Sequence, residues 1–447
     1  MNTERNKIAG WGNYPVIHSN IFNPENETEV TELVAKTNDI IARGNGRSYG
    51  DSALGTQVVS SLLCNKIIAF DKAEGILTCE SGVLLSEVLT TTIPCGFFLP
   101  VMPGTKYITV GGAVATDVHG KNHFHKQSFS AHVLEIKLLL SNGDTIICSK
   151  QNNRELFWAT CGGMGLTGFI LETKIQLSKI ETAYIKQQNF CCENLSELFS
   201  AFKKHNQFDY KVGWLDCFAT EDNLGKGIFT VASHCLTKDL SLQKQNNALK
   251  EERKTQFTIP FFSPAFLMSR WAIQAMNFLR WRRAKSNKQV EIIPLEQFFF
   301  PLDSILQWNK LYGRKGFLQY QYVLPTNNAE QGTKEILQLM AVANDKCLLA
   351  VLKQFGKCND RTLLSFPMEG FTVSLDFKFS PSLFALFDRF DEVVLKHGGR
   401  IYLAKDARMK TEMMQKGYPK LKEFQFIVKR VNSNNKFTSA QRERINY

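Results

Sequence analysis

Three glycine-rich segments near the start of the chain constrain its fold more than any other feature. They occupy residues 42–52 (ARGNGRSYGDS), 103–125 (PGTKYITVGGAVATDVHGKNHFH) and 161–170 (CGGMGLTGFI). Glycine lets the backbone approach a ligand closely, and a row of backbone N–H groups can cradle phosphate oxygens. Three such segments in one region predict a long ligand lying against exposed backbone, as a dinucleotide with a pyrophosphate and two ring systems would.

The first segment lacks the two common nucleotide-binding signatures. No Gly-Lys-Ser/Thr follows it at the P-loop spacing, and Asp51-Ser52 follow Gly50 without a clear helix, which argues against a Rossmann motif. A tight surface turn remains the alternative for this segment taken alone.

Length and composition indicate an ordinary globular protein. With 447 residues, 44% of them hydrophobic and 21% charged, the chain can form two domains with sizeable cores. The net charge of +12 is compatible with anionic lipid, phosphorylated substrates or only a solvated basic surface. Nucleic acid is disfavoured, because the basic residues are dispersed and no recognition module is visible.

Cysteine usage and the chain start bear on location. The eleven cysteines include no C-x-x-C pair, which favours reduced thiols. The start, MNTERNKIAGWGNYP, has no apolar signal region, and no run of about 18 apolar residues occurs. We therefore expect a cytoplasmic protein without a spanning helix.

Periodicity predicts a mixed α+β fold. A helix is expected after Asn26-Glu27, a strand at 39–42, short strands within 66–85, a hairpin at 132–148 turned by Asn142-Gly143, and a strand at 166–177. Later strand-like runs at 317–324, 348–353 and 370–377 predict an antiparallel sheet with covering helices.

One stretch, residues 260–285, combines aromatic and basic residues. Its apolar side chains recur at helical spacing, and arginines crowd its C-terminal end. The spaced apolar residues are Leu267, Trp271, Ala275, Phe278 and Leu279. Such a helix either lies in a membrane interface or packs on the second domain, and both interpretations stay open.

Several longer motifs carry a family resemblance. The segments ARGNGRSYGD, PGTKYITVGGAVATDVHGKNH, ELFWATCGGMGLTG, GFLQYQYVLP and YLAKDAR resemble the vanillyl-alcohol oxidase family with its PCMH-type FAD-binding fold. Within that family they are most similar to oxidases of polyprenyl-phosphate-linked ribose. The resemblance implies an FAD-binding domain at 1–179, a substrate domain at 180–400 and a C-terminal segment, 401–447, that returns to the FAD domain.

The resemblance also implies how FAD is held. Many family members attach FAD through a histidine in G-x-G-H-S, where this chain has Arg47 before Ser48, so we expect non-covalent FAD. Arg47 could pair with phosphate or form a structural salt bridge. The implied cofactor-binding residues are Ala42, Arg43, Gly44, Asn45, Gly46, Arg47, Ser48, Tyr49, Gly50, Asp51, Ser52, Gly104, Thr109, Val110, Gly111, Gly112, Thr116, Asp117, Val118, His119, Ile170 and Tyr402.

Lys405, in Tyr-Leu-Ala-Lys-Asp, matches the active-site lysine of the family; the alternative is a buried ion pair with Asp406. Removal of a hydroxyl proton needs a base, and Lys405, His119 and Tyr49 all remain candidates. The H-x3-H-x-H spacing that begins at His119 could ligate zinc, but His119 falls in the flavin-contacting segment, so no metal is expected.

A second group of residues is assigned to the substrate. Gln319 and Gln321 lie two apart and so share one strand face, which suits sugar hydroxyls. The resemblance implies a substrate site formed by Lys121, Gln319, Gln321, Lys353 and Ser374. Lys353 could instead be a solvated strand residue, and Trp11 and Phe317 are expected to serve packing.

The chain departs from the family pattern at three positions. Ser374 stands in place of a cysteine, Thr372 in place of an asparagine and Phe299 in place of a tyrosine. These changes bear on the exact sugar and lipid rather than on the flavin chemistry.

The implied function is FAD-dependent oxidation of the 2-hydroxyl of a lipid-linked pentose to a ketone. Expected partners are a short-chain reductase that acts on the keto product, an unidentified electron acceptor and, in one interpretation, a membrane surface. One alternative is a sugar-1,4-lactone or alditol oxidase, like D-arabinono-1,4-lactone oxidase. Another is a non-catalytic scaffold in glycan synthesis.

Overall fold

The computed structural model describes residues 3–250, 256–262, 270–287, 289–343, 345 and 347–447. The strands in this part of the chain are β1 (Thr3–Ala9), β2 (Val16–Phe22), β3 (Ile40–Arg43), β4 (Gln57–Ser60), β5 (Ile67–Asp71), β6 (Ile76–Glu80), β7 (Phe97–Phe98), β8 (Val133–Leu139), β9 (Thr145–Ser149), β10 (Phe169–Gln176), β11 (Ser178–Lys179), β12 (Tyr184–Cys192), β13 (Tyr210–Leu215), β14 (Gly227–His234), β15 (Phe257–Thr258), β16 (Glu291–Pro294), β17 (Ile305–Leu306), β18 (Phe317–Pro325), β19 (Cys347–Phe355), β20 (Gly370–Lys378) and β21 (Arg400–Ile401).

The α-helices of the same residues complete the α+β fold. They are α1 (Glu27–Lys36), α2 (Leu85–Thr92), α3 (Val110–Ala115), α4 (His123–Lys126), α5 (Arg154–Thr160), α6 (Leu195–Lys204), α7 (Leu242–Gln245), α8 (Arg270–Ser286), α9 (Leu295–Phe299), α10 (Ala329–Val342), α11 (Ser382–Lys396), α12 (Thr411–Gly417), α13 (Leu421–Val431) and α14 (Ala440–Ile445).

Two sheets form the N-terminal part of the molecule. A mixed four-stranded sheet has the order β1-β2-β4-β3, and an antiparallel five-stranded sheet has the order β5-β6-β10-β8-β9. Helix α1 starts where the sequence predicts, because the Asn26 side chain accepts a hydrogen bond from the Glu29 amide. The predicted hairpin is also confirmed, with Gly143 at φ +92° between β8 and β9.

The larger antiparallel sheet has eight strands in the order β16-β12-β14-β13-β19-β20-β18-β21. Helices α6, α10 and α11 cover one of its faces. In β18, Tyr320 and Tyr322 point to this covered side, where the Tyr320 hydroxyl donates to Asp391 (2.8 Å). Alternation along the strand places Gln319 and Gln321 on the opposite face, which we call the open face.

The C-terminal segment packs against the first sheet. The Ile40 amide donates to the Lys436 carbonyl (2.8 Å), and the Thr438 amide donates to the Ile40 carbonyl (2.9 Å). Arg444 joins Asp51 of the first glycine segment to Asp406 through ion pairs of 2.8 and 2.7 Å. These contacts support the proposed return of this segment, while the three domain boundaries stay predictions.

Helix α8 overlaps the predicted 260–285 stretch and ends one residue beyond it, at Ser286. It packs on the sheet through a row of side chains other than the predicted stripe. Ile273, Asn277 and Trp281 are buried, and Trp281 packs with Trp214 and Ile228 of the sheet. The stripe that the sequence indicated faces outward, with Trp271 81%, Phe278 58% and Leu279 65% exposed. Its member Leu267 lies outside the described residues.

Candidate active site

A cavity of about 750 Å³ lies between the glycine-rich segments and the open face of the eight-stranded sheet. This volume is in the range of sites that bury a cofactor or a drug-sized ligand. Short turns and the start of α3 bring the glycine segments to one wall, and alternate residues of β18, β19 and β20 form the other. The two halves of the predicted site therefore meet in one space.

Most of the predicted cofactor residues line this cavity. They are Ala42, Gly44, Asn45, Gly46, Arg47, Ser48, Tyr49, Ser52, Gly104, Thr109, Gly111, Gly112, Thr116, Val118, His119, Ile170 and Tyr402. All five predicted substrate residues line it as well: Lys121, Gln319, Gln321, Lys353 and Ser374.

Arg43, Gly50, Asp51, Val110 and Asp117 do not line the cavity. Asp51 pairs with Arg444, Asp117 accepts from Ser128 (2.7 Å), and Arg43 donates to the Ala9 carbonyl (2.7 Å). Val110 is buried in the core. These side chains support the segments rather than face the space, so a role of theirs in cofactor contact stays a prediction.

The wall of the cavity fits a polar group such as FAD. A Cβ added at Gly104 would meet no atom of the described residues within 4 Å, so the backbone there faces open space. Among the described residues, Ser81 Oγ and His119 Nδ1 are buried without a hydrogen-bond partner, although both residues line the cavity. Buried polar atoms are rarely left unsatisfied, so both are available to a bound ligand.

Arg47 forms no salt bridge with the described residues, and its pairing with a phosphate stays a prediction. Its guanidinium lies 3.8 Å from the centroid of the Trp11 ring, a cation–π contact. Burial lowers the Arg47 pKa, and the nearby Asp303 opposes this. Trp11, expected only to pack, therefore both holds Arg47 and lines the cavity.

Lys405 lines the cavity, and no carboxylate of the described residues forms a salt bridge with it. Its Nζ lies 3.6 Å from the centroid of the Tyr49 ring. Asp406, the suggested partner, instead pairs with Arg444, so the ion-pair alternative is wrong. The pKa of Lys405 is lowered to about 7. Burial is the main cause, Asp376 opposes it, and Lys353 adds to it.

Asp376 is the main site residue that sequence reasoning missed. It lies on β20 at the cavity wall, buried, and accepts a hydrogen bond from Gln319 Nε2 (2.5 Å). Burial raises its pKa, and Lys405 acts in the opposite direction. The available signal was its spacing of two from Ser374, which puts both on one strand face.

His119 is held as a neutral ring. Gln321 Nε2 donates to His119 Nε2 (3.0 Å) and also lies 3.2 Å from Thr372 Oγ1. Burial lowers the pKa of His119 well below its usual range, and Lys353 adds to this effect. The ring proton is therefore assigned to Nδ1.

Three lysines make this compartment basic. Lys121 donates to the Phe298 carbonyl, and burial together with Lys353 lowers its pKa to about 7. Burial lowers the pKa of Lys353 to about 8. Lys121, Lys353 and Lys405 all line the cavity, which would favour an anionic ligand group.

The three histidines of the H-x3-H-x-H spacing do not converge. His125 Nε2 contacts the Asn206 carbonyl (2.8 Å), whereas His119 faces the cavity. No group of three or more potential metal-ligating residues occurs in the part of the chain that the structure describes.

Comparisons with known proteins agree with this geometry. The model of the FAD binding domain family matches residues 19–149. Decaprenylphosphoryl-β-D-ribose oxidase of Mycolicibacterium smegmatis is 32% identical over 99% of this chain and 98% of its own length. The chain belongs to the decaprenylphosphoryl-β-D-ribose oxidase family. It is accordingly a flavoprotein that uses FAD, and an oxidoreductase acting on CH–OH groups.

Two further relatives show the breadth of the similarity. An uncharacterized protein of Streptomyces coelicolor is 28% identical over 81% of this chain and 100% of its own. L-gulonolactone oxidase of Scyliorhinus torazame is 26% identical over only 42% of this chain and 44% of its own. The lactone-oxidase similarity is thus partial, whereas the decaprenylphosphoryl-β-D-ribose oxidase family accounts for nearly the whole chain.

The three departures from the family pattern lie at or beside the cavity. Ser374 and Phe299 line it. Thr372 contacts Gln321 and donates to the Tyr322 carbonyl (2.8 Å). Thr372 and Ser374 lie beside Gln321, and Phe299 lies near Lys121, whose Nζ is 5.6 Å from the centroid of the Phe299 ring.

Proposed function

We propose that the protein oxidises the 2-hydroxyl of a polyprenyl-phosphate-linked pentose to a ketone. The observation that carries the proposal is Lys405, which faces the same cavity as the two glutamines and the glycine-rich wall. When bound, FAD supplies the acceptor for the hydride that leaves the sugar carbon.

Lys405 is the base that this geometry favours. Neutral Lys405 accepts the hydroxyl proton, and a pKa of about 7 leaves a large neutral fraction near pH 7. Burial raises the pKa of Tyr49 well above its usual range, so its phenol stays protonated. His119 is a weaker base, because burial lowers its pKa well below the usual range.

The other cavity residues divide between the sugar and its phosphate. The amides of Gln319 and Gln321 lie on the open face, where they can bind hydroxyl groups. Lys121 and Lys353 supply positive charge for a phosphate diester beside the sugar. A lactone or free alditol carries no anionic group that would favour the charged forms of these two lysines, whose pKa values burial lowers to about 7 and about 8.

Anaerobic titration tests the proposal. A prenyl-phosphoryl ribose should bleach the flavin absorbance, while free ribose, arabinitol and arabinono-1,4-lactone should not. Bleaching by the lactone alone would favour the lactone-oxidase alternative. Absence of bleaching by every substrate would favour a scaffold.

The mode of FAD attachment has a separate test. This chain has Arg47 where family members with covalently attached FAD have a histidine. Acid precipitation should therefore release the yellow flavin into the supernatant. Flavin that stays with the pellet would contradict non-covalent binding.

Two partners follow from the chemistry. The keto sugar is the intermediate of an epimerisation, in which oxidation is followed by reduction. A short-chain reductase would therefore consume the product. The reduced flavin requires an electron acceptor, such as a quinone or oxygen, and the reoxidation rate with each would identify it.

The exposed face of α8 supports peripheral membrane contact. It carries Trp271, Phe278 and Leu279 outward, and the helix contains four arginines and one lysine without an acidic residue. No helix among the described residues is long and apolar enough to cross a bilayer. We propose that this face rests on an anionic membrane surface of the cytoplasmic compartment.

Liposome sedimentation tests this contact. The protein should bind anionic vesicles at low salt and dissociate as salt rises. Phe278→Ser combined with Trp271→Ser should weaken binding, whereas Phe426→Ser, at an equally exposed phenylalanine of α13, should not. Trp281 is excluded from the test because it is buried. Equal binding by both variants would contradict the proposal.

A further inference from the structure

The cavity extends well beyond the residues around Lys405. Cross-strand pairing places Gln321, Ser374, Val351, Trp214 and Ile228 in one row across five neighbouring strands. All five line the cavity. Four strand spacings of about 4.8 Å put Ile228 roughly 19 Å from Gln321. We call the part of the cavity from Val351 to Ile228 the outer arm.

The outer arm differs chemically from the basic compartment. Its floor is formed by Val351, Val212, Trp214 and Ile228 of the sheet. The polar side chains at its far end satisfy one another, since Thr230 Oγ1 donates to Asn189 (2.6 Å) and Gln187 donates to Glu291 (3.0 Å). The sheet floor of the arm is therefore an apolar surface, which suits hydrocarbon.

Helix α8 covers the arm and contributes to its rim. Ala284 lines the cavity and packs with the cluster of Trp214, Ile228 and Trp281. Arg280 lies over the Trp214 ring, 4.7 Å from its centroid, and lines the cavity together with Arg283. The arm thus leads from the basic compartment to the helix whose opposite side carries exposed aromatic residues.

We infer that the outer arm binds the first isoprene units of the prenyl chain, with Lys121 and Lys353 holding the phosphate at its inner end. The inference rests on the proposed function and deepens it, because it gives the lipid part of the substrate a binding site of its own. The chain would leave the protein past Arg280 and Arg283, beneath α8.

Two substitutions narrow the arm from opposite walls. Ala284→Phe does so from α8, and Val212→Phe does so from the sheet. Ala275→Phe is the matched control, because Ala275 lies on the exposed side of the same helix and does not line the cavity. Flavin content and melting temperature report on folding, and two independent variants guard against a folding defect in one.

The experiment compares farnesyl-phosphoryl ribose with methyl-phosphoryl ribose as reductants of the flavin. In the wild type the farnesyl substrate should have the lower KM, because apolar surface is buried in the arm. Each narrowing variant should lose about tenfold of that preference, while Ala275→Phe keeps it. An unchanged chain preference in both narrowing variants would overturn the inference.

Binding of farnesyl phosphate, which has no sugar, separates this inference from the proposed function. Titration calorimetry should show binding to the wild type and to Ala275→Phe, and at least tenfold weaker binding to Ala284→Phe. If farnesyl phosphate binds in this way but no ribose substrate bleaches the flavin, the oxidation proposal fails and the arm stands. If ribose substrates react but farnesyl phosphate binds all forms alike, the arm fails.

Discussion

The two ends of the cavity work by different means. At the glycine-rich end much of the wall is backbone and small side chains, beside the larger Arg47 and Tyr49, and a Cβ at Gly104 would point into open space. At the end nearer the sheet, which we call the sheet end, the wall carries Lys353 and Asp376 of the sheet, Lys121 of the second glycine-rich segment, and Lys405. Burial shifts the pKa values of all four from their usual range. Shape and backbone N–H groups can hold a cofactor without burying ionisable side chains, whereas proton transfer needs desolvated ionisable groups.

The largest effect is expected from removing the group that transfers the proton. Lys405→Ala should slow flavin reduction by prenyl-phosphoryl ribose about 10²–10⁴-fold, because the base is lost. Stopped-flow single-turnover absorbance measures the rate. FAD content should not change, since the glycine end is intact.

Lys416→Ala is the matched control, because Lys416 is exposed and pairs only with Glu412 one helical turn away among the described residues. It should reduce the flavin at the wild-type rate. Near-normal reduction by Lys405→Ala would remove Lys405 from the chemistry and leave His119 as the remaining candidate base.

In contrast to Lys405→Ala, Gly104→Val should weaken the binding of FAD. The added side chain meets no protein atom within 4 Å of its Cβ, so the apoprotein should fold, but the side chain projects into the space assigned to FAD. We expect FAD affinity to fall about 10–100-fold, as for loss of a few kcal/mol of contact. Apoprotein reconstitution followed by fluorescence measures it, with Gly104→Ala as the milder step. Unchanged affinity in both would show that FAD lies elsewhere.

The same division explains what the sequence could predict. Glycine spacing is local, so the FAD end was visible in three short segments, and Gln319 and Gln321 were visible because two-residue spacing defines a strand face. The juxtaposition of Gln319 with Asp376 depends on β18 pairing with β20, 57 residues away.

Helix α8 shows the limit of periodicity. Both its faces carry apolar side chains, so spacing alone selected the stripe with Trp271 and Phe278, which is exposed, rather than the row with Ile273 and Trp281, which is buried. The choice between them depends on contact with Trp214 and Ile228 in distant strands. Residue pattern cannot supply that contact.

The coupling between Lys405 and Asp376 predicts a change in pH dependence. Flavin reduction should rise with pH as Lys405 loses its proton near pH 7. Asp376 raises the Lys405 pKa, so Asp376→Asn should move the rising limb to lower pH, by about one unit. Single-turnover rates from pH 5 to 9 measure it, and Asp376→Glu should restore the limb. A merely structural role would lower the rate without moving the limb, which would contradict the coupling.

The smallest expected effect is on stability, and it tests whether the buried lysines of the sheet end destabilise the folded protein. Burial lowers the pKa of Lys353 to about 8 from an ordinary 10.5. The folded state therefore disfavours the charged form. The destabilisation is fully present below about pH 8 and disappears above about pH 10.5, where both states are neutral. Lys353→Met keeps most of the length of the side chain and removes the charge. It should raise the melting temperature at pH 7 by about 2 °C, and this gain in melting temperature should shrink toward pH 10. The same substitution should weaken substrate binding. Scanning calorimetry of the FAD-loaded protein at pH 7 and pH 10 measures both melting temperatures. A loss of stability at pH 7 would mean that Lys353 is compensated by a partner in the folded protein, and the contrast between the two ends of the cavity would then rest on Lys121 and Lys405.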